Sequence, residues 1–590
     1  MIGINRCEYL SSAPIKRCRK SLYFSRGITQ PICRLSALIT ALTIGISANA
    51  QVTPQDLQSN REEIRRRQQA EQAEQESRME QPRVDLQPQV APTPEEIPDD
   101  PNGFPIDHVV VDTGGRSLPW LSSLASKYQG KKLGMAGIQH VIRYLSNACI
   151  ERGYVTTRIL LPEQDIASTR TLRLVAVPGT VGKIYVSEQS DSWGGTWWNA
   201  FPTHTEKLLN IRDIEQGLEQ MKRVPTQDVT MELKPGEQPG QSDVVVTRKN
   251  QFPIRGNLGI DNSGDKNTGR WQGSATAMWD NPLFINDLLA FTYNGAVATS
   301  SGQGTNGNNL TYSVPFGYWT LFGSYNAYDY HQTVEGYYSP YESSGKSRSW
   351  DVRLQYLAHR DQNSKTSLQA RLSRRKNRNY IDDVELEVQR RNTTTVEIAL
   401  MHQRNINRIL FDGSIAIRTG VHWLNATDDI QSGNDDSPTN FYTALTADAM
   451  VRIPFTLGPA RLMATTAFRA QITGDTLYGS EYFSIGSRYT VRGFDGQQTL
   501  GAEKGFTLRN DVGVALWETN QTLYVALDYG YVSGPADYYL PGNNLLGCAI
   551  GLRGGWKWFY YDATVGCPLY KPDGFHTDRV TYTVQAGIQF

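Results

Sequence analysis

Cysteine is scarce: six in 590 residues, with Cys7, Cys18 and Cys33 all inside the first fifty. That excludes a disulfide scaffold, which is cysteine-dense. Cys149, Cys548 and Cys567 remain, an odd number that cannot fully pair, and a Cys548–Cys567 bridge stays open. Charge of one sign is missing too, since 59 Lys and Arg face 59 Asp and Glu, and nucleic acid has no field to follow. Beyond the N-terminus polar residues interrupt every apolar stretch, which excludes helical spans of ~20 apolar residues. Membrane-crossing strands are not excluded, because they alternate and leave a weak hydropathy trace. Catalytic signatures are absent as well. None of the eight histidines forms HExxH or another metal pair, and no CxxC, GxSxG or GxxxxGK[ST] occurs. Asp382-Asp383 and Asp435-Asp436 have polar neighbours and read as solvated turns. Neither enzymatic activity, nor a metal, nor a cofactor is expected.

What is present divides by position. Basic residues from Arg6 to Arg34 precede the apolar run Leu35–Ala48 and the small-x-small site Ala48-Asn49-Ala50. Residues 1–50 therefore read as a signal peptide; an uncleaved anchor fits less well, because the run falls short of the ~18 residues that span a bilayer. Residues 51–81 hold a helix whose apolar residues are little more than Leu57, Ile64 and Met79. With no face to bury in an ordinary core, it must be solvated or sit in a polar cavity. Rising ~1.5 Å per residue, it reaches roughly 40 Å, enough to cross a membrane-sized barrel and plug it. Residues 82–103 are a Pro-rich linker.

Residues 104–180 read strand, helix, helix, strand, strand. The first strand is Ile106–Val111 and the first helix Leu118–Tyr128; the second helix, Gly137–Gly153, aligns Ile138, Val141, Ile142, Leu145 and Cys149 on one face. TTRILLPEQ and TRTLRLVAVPG close the unit, and Thr156–Leu161 or Thr171–Val177 offers an edge for an incoming strand. Residues 181–250 repeat the order, with a Trp-rich helical stretch near Trp197–Leu209 and a second helix in IRDIEQGLEQMKRV. From residue 251 to 590 only strands follow, about sixteen, beginning near residues 256, 270, 287, 308, 319, 347, 364, 393, 409, 441, 460, 504, 521, 545, 557 and 579. Tight turns (316–319, 406–409) alternate with long loops (333–348, 424–441), the pattern of an outer-membrane barrel. A soluble β-sandwich would need a domain break that these residues lack. In TYTVQAGIQF, Tyr582, Val584, Ala586, Ile588 and Phe590 share one face and polar residues the other.

GYVTTRILLPEQ (153–164), LRLVAVPG (172–179), LLNIRDIEQGLEQMKRVPTQDVTMELKPGEQPGQSDVVV (208–246) and TVRGF (490–494), taken with this order of elements, resemble the two-partner secretion transporters. These are the TpsB or haemolysin activation/secretion proteins, and the small units resemble their polypeptide-transport-associated (POTRA) domains. One departure, Ser168-Thr169-Arg170 where a Ser-Gly turn is more usual, bears only on loop shape. The resemblance implies α+β periplasmic POTRA domains followed by an all-β sixteen-stranded transmembrane barrel. It makes Val491-Arg492-Gly493-Phe494 the tip of a loop, residues 475–503 between the eleventh and twelfth strands, that folds back into the lumen. The inward acidic motif then falls on the thirteenth strand, where alternation in LYVALDYGYV turns Asp528 and Gly530 inward. Arg492 is expected to bond Asp528 through two parallel bonds in a wet, screening lumen, with Gly493 allowing close approach and Phe494 packing on the wall. Tyr582, Val584, Ile588 and Phe590 look like the family's C-terminal strand signal.

The implied function is export of an unfolded TpsA-type exoprotein, a haemolysin, adhesin or toxin, recognised by the POTRA domains and moved across the bacterial outer membrane without nucleotide hydrolysis. Outer-membrane lipid and periplasmic chaperones are the other expected partners; nucleic acid is not. Two alternatives compete. A barrel-assembly factor generally carries more POTRA units and lacks the polar helix, and a passive porin leaves residues 104–249 unexplained.

Overall fold

The computed structural model describes residues 54–86, 103–115, 118–429, 437–516 and 519–590, with side chains in the first helix from Arg61. The proposed signal peptide, most of the Pro-rich linker and Asp435-Asp436 lie outside the described residues. The polar helix, α1, spans Pro54–Glu80.

The first small unit contains β1 (Phe104–Ile106), β2 (His108–Asp112), α2 (Pro119–Ala125), β3 (Lys131–Leu133), α3 (Met135–Glu151), β4 (Arg158–Leu160), α4 (Ile166–Thr169) and β5 (Thr171–Val177). Alternation in β2 and β5 and the periodic face of α3 converge on one core: Val109, Val111, Leu172 and Leu174 from strands, Ile138, Val141, Leu145 and Cys149 from the helix. The sheet order is β2-β5-β4, with β2 parallel and β4 antiparallel to β5. Thr171–Val177 is therefore a central strand, hydrogen-bonded on both sides, and offers no edge; of the two expected edges only the Thr156–Leu161 segment, through β4, does so. The single expected strand Ile106–Val111 is instead two, β1 and β2, because β1 leaves to pair with β3. At three residues, β3 is too short to show a period.

The second unit contains β6 (Thr180–Val186), α5 (Ile211–Lys222), β7 (Gln227–Pro235) and β8 (Gln241–Asn250), ordered β6-β8-β7. Its Trp-rich stretch, expected to be helical, is not. Trp197 accepts from the backbone of Ala200 and Phe201 in a single turn, and Pro202, with no N–H to give, follows at once. Docking decides the outcome: Ala200 and Phe201 enter the core, while Asn199 Nδ2 donates to Ile285 O (2.5 Å) and Pro315 O (3.1 Å) at the barrel rim.

Sixteen antiparallel strands close the barrel, and a two-residue ladder, Val384–Glu385, hangs on the seventh. The first strand is Ile254–Asp261 and the last Thr581–Gln589. Closure is required because lipid offers backbone groups no partner. The seam pairs Gln585 with Asp261 through Gln589 with Asn257. Beyond it, Phe590 N donates to Gly256 O (2.9 Å) and Phe590 O accepts from Gly256 N (2.7 Å), so Phe590 extends the ladder. Its ring covers Gly256, where a Cβ would lie 2.4 Å from the ring. Tyr582, Val584, Ile588 and Phe590 all stand exposed on the outer face.

Removing Phe590 deletes two seam hydrogen bonds, worth about 1–2 kcal/mol net plus the exposure of their partners. The expected outcome is a several-fold loss of the folded, heat-modifiable barrel in membrane fractions, read by gel migration with and without boiling.

Candidate functional site

Among the described residues, two elements occupy the lumen. The first is the chain between the eleventh strand (Ala460–Thr473) and the twelfth (Lys504–Ala515). Its short hairpin, Phe483–Ile485 paired with Leu500–Ala502, carries Val491–Phe494 to the wall. Ile485, Val491, Phe494, Leu500 and Ala502 form a buried cluster with Val532, Leu545 and Phe575. Phe494 meets Phe575 edge to face, centroids 5.8 Å apart.

Arg492 reaches the thirteenth strand, Gln521–Ser533. Its Nε donates to Asp528 Oδ2 and its Nη2 to Oδ1, both at 2.7 Å, and its backbone N–H adds a 2.9 Å bond to Oδ2. Asn510 N donates to Oδ1 at 3.1 Å, so four donors saturate the carboxylate. Nη2 also donates to Asn510 O (3.1 Å), and Nη1 donates to Asp511 Oδ2 (3.4 Å). The expected wet, screened environment is overturned: Asp528 is 0% exposed and the Arg492 side chain 11%, because the apolar cluster excludes water. For a buried pair of this kind, removing one partner costs ~3–5 kcal/mol, not the fraction of that expected of an exposed one.

The tip fits because the wall lacks side chains beneath it. Gly493, at φ 100°, would place a Cβ 2.4 Å from Cys567 O. Opposite it, a Cβ on Gly547 would lie 1.9 Å from Arg492 O, and one on Gly566 2.9 Å from Gly493 N and Cα. Gly530 likewise makes room, since its Cβ would meet Ile485 and Val491 at 2.9 Å. Gly547 and Gly566 were missed by sequence reasoning; the available signal was glycine at inward positions of the fourteenth strand (Asn544–Trp556) and the fifteenth (Phe559–Tyr570).

α1 is the second occupant. Its side chains meet the wall on several sides. Glu62 accepts from Tyr328 Oη (2.9 Å) and Thr268 Oγ1 (2.8 Å); Glu63 pairs with Arg375 (2.6 Å), Glu74 with Arg353 (2.7 Å), Glu71 with Arg469 and Arg78 with Asp412 and Asp448. Arg66 stacks 3.8 Å over the Tyr328 ring. α1 also leans on the inward loop: Arg67 donates to Ser480 O and Tyr482 O, Gln68 to Ser484 O, and Ser487 Oγ donates to Gln68 Oε1 at 2.7 Å.

Below the barrel, the chain leaving α1 is gripped by α5. Val84 N donates to Glu219 Oε1 (2.7 Å) and Leu86 N to Glu215 Oε1 (2.9 Å). Both side chains pack on the second unit's core. Arg360, at the end of the sixth strand (Tyr341–Arg360), binds both carboxylates and Val84 O. Three parts of the molecule thus share one buried ion cluster, and nothing local in the sequence pointed to it. Burial pushes the Glu219 carboxyl up, but hydrogen bonds from Arg360 and the Lys365 charge outweigh it and hold the group below the ordinary glutamate value.

Residues 240–554 match the haemolysin secretion/activation protein family ShlB/FhaC/HecB, residues 104–179 its ShlB-type POTRA domain and residues 180–235 a POTRA domain. The chain belongs to the ShlB/FhaC/HecB family. It is 39% identical over 470 residues to outer membrane transporter CdiB-2 of Burkholderia pseudomallei, covering 78% of this chain and 80% of that one. It is 30% identical to outer membrane transporter CdiB of Dickeya dadantii, covering 80% and 83%. The structure of CdiB from Escherichia coli superposes with a TM-score of 0.82 at 27% identity, over 92% of this chain and all of that one. As in other ShlB/FhaC/HecB proteins, the barrel lies in the outer membrane and the POTRA units in the periplasm. The short turns touched by the second POTRA unit, at Ile285 and Gly317, therefore face the periplasm.

Glu219→Ala leaves Arg360, 4% exposed, without one of its two carboxylates. The linker is expected to become several-fold more sensitive to protease near Val84 while the barrel stays folded. A depressed carboxyl pKa contributes stability above its unfolded value and loses it as pH falls through the folded one. The grip is therefore expected to persist at neutral pH and to fail only below the ordinary glutamate range, read by the same proteolysis across an acid titration.

Proposed function

We propose that this transporter captures a large exoprotein in unfolded form at its POTRA units and passes it through the barrel lumen, with no nucleotide hydrolysis by this chain. The observation that carries the reading is the nature of the lumen's contents. The helix α1 is held there mainly by polar contacts, with Ile64 and Met79 only half-buried, and once α5 releases the chain at Val84 and Leu86 the linker is long enough to let it leave.

The first step is capture. β4 is an exposed edge carrying Leu160, with Leu161 next to it, both outward. A client strand can add there by main-chain bonds, its side chains meeting those leucines. Periplasmic chaperones fit upstream of this step, because only an unfolded client offers a free backbone. The second step is opening. Several α1 ion pairs are partly hydrated, as Glu71 and Arg469 are at 29% and 20% exposure, and such pairs exchange for water at little cost; Arg78 with the buried Asp412 is the costlier contact that opening must break. The Arg492–Asp528 pair is dry, so the loop tip stays seated and aligns the path while α1 moves. The outward apolar residues of the strands meet outer-membrane lipid. Folding of the client outside supplies the direction of transport.

Deleting residues 55–81 is expected to raise single-channel conductance in planar bilayers, and an unchanged value would count against α1 as the plug. Removing residues 104–180 from a barrel that still assembles should abolish client capture in a pull-down. Arg492→Ala and Asp528→Ala are each expected to cut secretion into the medium at least tenfold. Each single variant strips a buried charge of its two-bond partner, leaving Asp528 only the Arg509 cation at 3.8 Å or Arg492 only the Asp511 carboxylate at 3.4 Å, and the charge-swapped double variant should recover part of the loss.

A further inference from the structure

Cys548 and Cys567 are direct register partners on the fourteenth and fifteenth strands. Both side chains leave the outer face of the wall, since their neighbours Gly547, Ala549, Thr564 and Gly566 are the buried, inward positions. Their Sγ atoms stand 2.8 Å apart, too close for unbonded sulfurs at rest and within a small side-chain rotation of the ~2.05 Å bond length.

The ladder around them is weak where the loop tip loads it. Pro568 pairs with Gly547 and has no N–H to contribute. One residue further the register shifts, so that Leu569 has no partner opposite it between Pro568 and Tyr570. Gly547 and Gly566 bring no side-chain packing of their own, because their bareness is what admits Arg492 and Gly493. Fewer ladder bonds and less packing therefore coincide on the patch that receives the tip, and the two thiols lie directly behind it.

We propose that Cys548 and Cys567 form a cross-strand disulfide that staples the wall behind the seat of the loop tip. The periplasm is oxidising, and disulfides formed there persist. The oxidant is a periplasmic dithiol–disulfide oxidoreductase. One cysteine thiolate attacks its disulfide and the second displaces it from the mixed disulfide; two electrons and the two thiol protons pass to the oxidant, which leaves as a dithiol. The exchange precedes insertion, because afterwards both sulfurs face lipid. Cys149 is an internal control: it is fully buried in the first POTRA core, and burial pushes its thiol up to about 11, which keeps it unreactive.

The test uses the full-length protein in its native outer membrane. Cells are acid-quenched, free thiols are blocked with N-ethylmaleimide in denaturant, and disulfides are then reduced and labelled with the isotopically heavy reagent. Peptide mass spectrometry should find heavy label on Cys548 and Cys567 and light label on Cys149. Light label on both wall cysteines would overturn the proposal. A second reading addresses the stapling itself: reductant should lower the temperature at which the barrel loses heat-modifiable migration in the wild type, and leave it unmoved in Cys548→Ala/Cys567→Ala. No shift in the wild type, or the same shift in both proteins, would reject a stapling role.

Discussion

Backbone groups facing lipid must find partners inside the protein, and the rest of this structure follows from that constraint. It forces the strands into a closed ring, and it makes Phe590 structural, since Phe590 and Gly256 exchange a pair of seam bonds. A ring of sixteen strands cannot be filled by wall side chains alone, as an eight-stranded one can. Here α1 and the inward loop occupy the interior, and what holds those parts decides which can move.

Burial separates the two occupants. The loop tip is held by a carboxylate with four donors, excluded from water, over a wall stripped of side chains. Breaking that contact leaves the buried Asp528 only the Arg509 cation, at 3.8 Å, which is expensive. α1 makes more polar contacts, and its Glu63, Glu71 and Glu74 pairs stay partly hydrated, so each of these contributes less than a dry pair; only Arg78 with Asp412, among its described pairs to the barrel strands, is as buried as the tip's own. Its apolar residues Ile64 and Met79 are only half-buried, so departure forfeits little hydrophobic stabilisation. Contacts that are mostly water-exchangeable suit a removable element; a saturated pair set in its own apolar cluster suits a fixed one.

The buried cluster of Glu215, Glu219 and Arg360 extends the same logic to the periplasm. Its two carboxylates serve the barrel's arginine and the linker's backbone together, so position of α5, position of the linker and position of the barrel rim are not independent. Motion of the POTRA unit on that rim necessarily disturbs the chain leading to α1.

Properties with a short sequence period were determined by the sequence alone. The sixteen strands, the inward turn of Asp528 and Gly530, the apolar face of α3 and the lack of a buriable face on α1 all follow from alternation or from helical spacing. The strand starts read at 319, 364, 409, 460, 504 and 521 are those of the folded chain, because a strand half in lipid and half in water must alternate. The family's motifs added the pairing of Arg492 with Asp528, which no local pattern contains. Only the tertiary structure decided the rest. Thr171–Val177 became a central strand and Trp197–Leu209 gave up helix through contacts formed with distant segments. The dryness of the Arg492 pair, the glycine seat at 547 and 566 and the grip of α5 on the linker each join residues tens to hundreds of positions apart. Burial and contact are properties of neighbours in space, and a closed barrel brings together neighbours that no window of sequence holds.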